Sequence, residues 1–248
     1  MNRMVIAIVL GFSAVLSGCV VKETRPLAKL EAVQAKTQIP EAELLDVALR
    51  HFDPGVPVNL ANDEEALDKR RIYPDVRSAE SRLLPMRLRT TLEASGQWGA
   101  VRVVPEAVQF VDVIVTGKIV ESTGSRLELA ITAVDASGRV WIKERFYSSD
   151  ADLGAYKTDA SLRARDPFQN VYSQIANDLV TARDALTAVE KRELRHIAQL
   201  RFAQDLDPRS FDGYLQRSAD GRYRLTRLPA TDDPAVVRIT KIRERDSA

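Results

Sequence analysis

The sequence predicts an α/β (α+β) protein: a small mixed sheet with an antiparallel meander, packed against two main helices and followed by a C-terminal helical extension. Three observations carry that prediction. Four strand-like runs lie between residues 100 and 148, and the last three are joined by short, turn-rich junctions. Two long segments, 78–96 and 166–186, repeat apolar residues at helical spacing. A further alternating run precedes the first helix, so strand, helix and strand follow one another before the meander begins.

The first strand is expected in "LLDVALRHFDPG" (residues 44–55), where Leu45, Val47 and Leu49 alternate and Asp53-Pro54-Gly55 signals a turn. The polar stretch after it reads as a long loop with a short helix over residues 64–70. "SAESRLLPMRLRTTLEASG" (residues 78–96) is the clearest helix. Leu83, Leu84, Leu88 and Leu92 form its apolar stripe, Ser78 is its expected cap, and Gly96 suits the left-handed position after its end. Pro85 predicts either a kink or a helix that starts near that residue. "AVRVVP" (100–105), "VDVIVTGKIVES" (111–122), "RLELAITAVDAS" (126–137) and "RVWIKERFYS" (139–148) are the four strands.

A right-handed crossover would make the first two strands of the chain parallel. The second main helix is expected from Asp166 as N-cap and Pro167 at the first helical position, with Phe168, Val171, Tyr172, Ile175, Leu179, Ala182 and Leu186 on its inner face. Residues 187–206 continue as helix, and Asp207-Pro208 opens a short one. Between Arg217 and Arg245 the chain holds eight basic and four acidic residues. There "RLPATDDP" reads as a loop and "AVVRITKIRERDSA" as a short amphipathic helix or strand.

The N-terminus carries an address. Arg3 precedes an apolar run, Val5 to Leu16, of the length of a secretory h-region and too short to cross a bilayer comfortably. The run ends in Leu16-Ser17-Gly18-Cys19, which resembles the lipobox of bacterial lipoproteins. The resemblance implies cleavage after Gly18 and acylation of Cys19, the sole cysteine. It also implies several acyl chains, which together hold a protein on a membrane. With no Asp directly after Cys19, similarity to Gram-negative sorting patterns implies the periplasmic face of the outer membrane. The expected organisation is therefore a signal peptide over 1–18, lipidated Cys19 and a tether over 19–42, an α/β domain over 43–190, and a helical extension with a basic tail over 191–248. Treated as flexible coil, a tether of that length spans about 25 Å root-mean-square.

Charge and composition exclude some classes. The chain has 36 Lys+Arg and 35 Asp+Glu, and losing residues 1–18 removes only Arg3, leaving 35 against 35. A neutral chain lacks the basic excess of a general nucleic-acid binder. With Cys19 lipidated, no disulfide is possible, so stability must come from burial.

The residues "LRTTLEASGQWGAVRVVP" followed by "VDVIVTGKIVES" resemble a recurring periplasmic α/β domain. It is found at the N-terminus of the Tol-system propeller protein, in the curli-secretion lipoprotein and in lipoprotein activators of penicillin-binding proteins. "VALRHFDPG" and "DPFQNVYSQIANDL" are similar to uncharacterised proteobacterial lipoproteins. The resemblance spans residues 43–190 and implies a fold, not an activity.

No HExxH, GxSxG, Walker loop, GxGxxG or CxxC occurs, and the two histidines, His51 and His196, are not placed beside a marked nucleophile. His51 reads as a strand-end histidine and His196 as a solvated one. Glu64/Glu65 and Asp232/Asp233 read as solvated loop acids rather than the spaced carboxylates of a glycan hydrolase. No cofactor, metal or catalytic residue is therefore expected. Trp98, on the helix-to-strand loop "SGQWGA", is either a lid on the core or an anchor for a partner. The basic tail, including Arg222, Arg224, Arg227, Lys241 and Arg243, is either solvated or faces anionic lipid or peptidoglycan carboxylates. The resulting expectation is a non-catalytic outer-membrane lipoprotein serving as adaptor or assembly factor for an envelope complex, contacting partners through the Trp98 loop and an exposed edge of the meander. An auxiliary lipoprotein of a lipid or solute transporter and a wall hydrolase are its rivals.

Overall fold

The computed structural model describes residues 29–105, 111–151, 165–230 and 232–247. Gly18 and Cys19 lie outside them. A five-stranded mixed sheet forms the centre, in the order β2-β1-β3-β4-β5. Its strands are β1 (Val47–Arg50), β2 (Val101–Val104), β3 (Val113–Ser122), β4 (Arg126–Asp135) and β5 (Val140–Asp150). β1 is parallel to both β2 and β3, and β3-β4-β5 is the expected antiparallel meander.

The helices are α1 (Glu64–Lys69), α2 (Pro74–Ala94), α3 (Gln169–Asp184), α4 (Ala188–Leu206) and α5 (Pro234–Ser247). α2 and α3 bury their apolar stripes with one face of the sheet. Leu84, Leu88 and Leu92 from α2 and Val171, Tyr172, Ile175 and Leu179 from α3 join Val113, Val115, Ile119, Leu127, Leu129 and Ile131 in one cluster. Each such side chain contributes about 1.5–3 kcal/mol on full burial.

Local chemistry explains the departures from the sequence pattern. α2 begins one turn earlier than Ser78, at Pro74, whose missing N–H costs nothing at a first-turn position. Leu83, expected on the inner stripe, is half exposed. Pro85 sits inside the helix, and its missing N–H frees the carbonyl of Ser81. That carbonyl accepts the N–H of Phe52 at 2.8 Å, so the defect becomes the joint between α2 and the end of β1. Phe52 in turn lies over Gly117, where any Cβ would stand 2.7 Å from its ring. That approach explains a glycine in mid-strand.

α3 starts at Gln169 rather than Pro167. Asp166 accepts the N–H of Phe168 at 2.9 Å and so sets up the turn that leads into the helix. A capping box of Thr187 and Glu190 restarts the helix as α4, which separates the two long helices. Residues 208–213 form turns instead of a short helix, and residues 215–225 form an unforeseen hairpin, β6 (Leu215–Arg217) with β7 (Tyr223–Leu225). The last segment is a helix, α5.

The segment expected as tether is described from Lys29 on, with no helix or strand before the 3₁₀ turn at Glu41–Glu43. Its described part lies against the domain: Asn170 accepts the N–H of Leu30, and Asn177 accepts that of Val33 while donating to the carbonyl of Glu31. Ala35 donates to the carbonyl of Ser95, and Ala32 is buried. Two asparagines one heptad apart on α3 thus satisfy an extended strip of backbone, which is why residues 29–35 are not free.

Candidate functional site

Helix α4 runs past the end of the sheet where β4 turns into β5. Arg195 donates to the carbonyls of Glu41 and Leu44 ahead of β1, and Arg201 donates to the carbonyl of Ala136 at 2.9 Å. The β6–β7 hairpin is fixed beside it. Tyr223 donates its N–H to the carbonyl of Ser137 at 2.7 Å, and the guanidinium groups of Arg201 and Arg217 lie 4.6 Å and 5.7 Å from the centre of its ring. These cation–π contacts and the backbone bond to Ser137 hold a short hairpin that would not persist alone.

This docking opens a cleft of about 310 Å³ between hairpin, helix and turn. Arg139, Arg222 and Arg224 bring three guanidinium groups to it, and Glu190 and Glu193 bring two carboxylates, over the apolar Leu194 and Ile197. The charges are not equivalent. Arg139 pairs with Glu190 at 3.4 Å, and Glu190 also accepts from Thr187, so its carboxyl is held below the usual range first by those Thr187 bonds and then by Arg139. Arg222 pairs with Asp220 at 2.6 Å; Ser218 first, then Arg222, holds the Asp220 carboxyl well below the usual carboxylate range. Arg224 has no ion pair among the described residues and is exposed. It is the cation the cleft leaves available.

The predicted residues separate accordingly. Arg222 and Arg224 meet in the cleft. Arg227 lies outside it, over the Tyr214 ring at 4.4 Å. Lys241 is exposed on α5, and Arg243 lies on the same helix with its side chain outside the described residues. Trp98 is not a surface anchor. It is 6 % exposed, packed against Trp141 with ring centres 6.4 Å apart and planes tilted by 38°, and covered by the Arg183 guanidinium at 5.4 Å. His196 is not solvated but half buried on α4, and burial pushes its imidazole below the ordinary value. Arg139, Glu190 and Glu193 escaped sequence reasoning. Only the acidic side of α4, at i and i+3, marked two of them.

Among the described residues no three His, Cys, Asp or Glu side chains stand close enough to hold a metal ion, and no helix is long and apolar enough to cross a membrane.

No protein-family model matches the chain, and no curated protein matches it. It is similar in part to solved structures. One is the PelC dodecamer of Paraburkholderia phytofirmans, 15% identical over 61% of this chain and 93% of that one, with a TM-score of 0.34. A second is the hypothetical protein CT253 of Chlamydia trachomatis, 9% identical over 58% of this chain and 99% of that one, TM-score 0.33. A third is XCC0632 of Xanthomonas campestris, of family DUF330, 13% identical over 66% of this chain and 95% of that one, TM-score 0.31.

Proposed function

We propose that this chain is a non-catalytic lipoprotein, anchored through Cys19 to the periplasmic face of the outer membrane, that docks on a protein of an envelope complex. The observation that supports docking is the cleft, where Arg224 stands unpaired beside Arg139 and Arg222 above an apolar floor. A partner segment presenting a carboxylate next to an apolar side chain complements it. Lys29, the first described residue, is ten residues from Cys19. Ten residues reach at most about 35 Å, so an acylated Cys19 would confine the domain to a thin shell beside the membrane. Confinement of that kind raises the effective concentration towards other membrane-bound partners without any new contact.

The test is in-cell crosslinking and capture of the lipidated protein, beside Cys19→Ser and Arg224→Glu versions. A protein partner captured in stoichiometric amount by the parent, and reduced at least about tenfold in both variants (~1.4 kcal/mol or more), is the expected result. Equal capture by Arg224→Glu removes the cleft from the interface. Equal capture by Cys19→Ser removes the anchor from the function.

A further inference from the structure

Helix α2 carries two apolar stripes, and the sheet uses only one of them. Leu84, Leu88 and Leu92 are buried in the core. On the opposite side of the helix, Val76, Ala79, Leu83, Met86 and Thr90 follow one another at spacings of three, four, three and four. All five are exposed, Val76 at 52% and Leu83 and Met86 at 50% each. This second stripe is where Leu83 belongs, which is why it does not join the inner one. A single exposed apolar side chain is ordinary, but three large ones in line on one helix form a patch of the kind that marks a contact.

The spacing selects the shape of the occupant. Apolar residues alternating three and four apart are the a and d positions of a heptad, the seam that side chains of a second helix enter. The seam is narrow, because Asp75, Glu80, Arg82, Arg87 and Arg89 border it. An amphipathic helix that lies in a lipid surface presents a broader apolar face. The borders also select its charge. Beside Leu83 and Met86 every flanking position is arginine. Arg82 is exposed and makes no ion pair among the described residues. Arg87 pairs with Asp166 at 3.3 Å and Arg89 with Glu93 at 2.8 Å, and both arginine side chains stay more than 40% exposed. A second copy of the chain complements this pattern poorly. In a parallel pair of α2 helices Asp75 faces Glu80 and Arg82 faces Arg87. In the antiparallel registers that stack Leu83 on Ala79 or on Met86, Arg82 faces Arg82 or Arg89 of the other copy. Acidic flanks on a different helix meet these arginines with the opposite sign.

We propose that the outer stripe of α2 is the docking site for one amphipathic helix of a partner protein, apolar at its own a and d positions and acidic where it runs beside Arg82, Arg87 and Arg89. The stripe shares no residue with the cleft that holds Arg224, so either site can fail without the other.

The test uses the full chain carrying Cys19→Ser and two fluorescent synthetic peptides of about three heptads. Both have Leu at a and d; one has Glu and the other Lys at e and g. Fluorescence anisotropy is expected to show saturable binding of the Glu peptide, with Kd on the order of 100 μM or tighter for so short a contact. The Lys peptide binds at least about tenfold more weakly. Leu83→Glu weakens the Glu peptide at least about tenfold and, at a half-exposed position, leaves Tm within about 2 °C of the parent. Arg82→Glu weakens the Glu peptide and tightens the Lys peptide. Arg224→Glu, which reports on the cleft alone, leaves the Glu peptide's affinity unchanged. The proposal is overturned by absent binding, by equal binding of the two peptides, or by binding unchanged in Leu83→Glu. A parent dimer in sedimentation that Leu83→Glu abolishes also overturns it, giving the stripe to a second copy. Binding to anionic phospholipid vesicles that Leu83→Glu abolishes overturns it in favour of a membrane surface.

Discussion

Arg183→Met is the most direct probe of how the helix-to-strand loop is held. Arg183 is 6% exposed on α3 and donates to the backbone carbonyl and to the side-chain oxygen of Gln97, the latter at 2.8 Å. Gln97 is itself buried, and the Arg183 guanidinium lies 5.4 Å from the centre of the Trp98 ring. Methionine keeps most of the stem and removes every donor, so two buried acceptor oxygens lose their partners at about 1–3 kcal/mol each. Loss of the cation–π contact adds about 0.5–2 kcal/mol. Relief from keeping a guanidinium out of water offsets part of this. The net expectation is a loss of about 2–4 kcal/mol, or a fall of about 5–15 °C in Tm at this chain length. The control is Arg89→Met, whose partner Glu93 lies at 2.8 Å with both side chains more than 40% exposed, and which should cost no more than about 0.5 kcal/mol. Thermal unfolding followed by circular dichroism and by tryptophan fluorescence measures both. If the two variants unfold within about 0.5 kcal/mol of each other, the buried guanidinium does not hold the loop and the reasoning fails.

Three further outcomes are expected. Gly55→Ala should cost at least about 2 kcal/mol in urea unfolding, because Gly55 has φ +68° and an added Cβ would stand 1.9 Å from the carbonyl oxygen of Ile119; a cost under about 1 kcal/mol would contradict the close approach. Asn177→Ala removes both bonds to residues 31–33, so amide exchange there should accelerate while the β4 amides keep their protection; unchanged exchange would mean that other contacts hold the segment. His196 has its pKa pushed down from 6.5, first by burial and then by Arg195, with Glu193 opposing. The unfolded chain therefore takes up the proton first, and stability is lost as pH falls from about 6.5 towards the lower folded value. His196→Gln should flatten that part of the urea-midpoint profile, and an unaltered slope would refute it.

The sheet and its two covering helices were legible because their signals are local and repeated. β3, β4 and β5 alternate over ten or eleven residues, and α3 repeats its apolar side chains over sixteen. Where the reading erred, a distant group had supplied what the local pattern lacked. Pro85 is tolerated because Phe52, more than thirty residues away, uses the carbonyl that the proline releases. Residues 29–35 have no periodicity, yet they are ordered by two asparagines some 140 residues later. β6 and β7 are three residues each, too short for alternation to register, and they persist because Tyr223 is held from outside the hairpin by Arg201 of α4 and by the carbonyl of Ser137.

The same physics divides the candidate residues. A tryptophan between two glycines reads either as a lid on the core or as a contact anchor; burial decides for the lid, and Arg183, 85 positions later, closes over it in a way no local pattern encodes. The basic tail reads as one charged unit. Folding splits it: Arg222 is neutralised by Asp220, Arg224 is left free in the cleft, and Arg227 is turned away onto Tyr214. Charge count alone would assign all three the same partner. Their different neighbours predict that Arg224→Glu disrupts docking at the cleft and Arg227→Glu leaves it intact, whereas a tail acting as one electrostatic surface would lose capture in either variant.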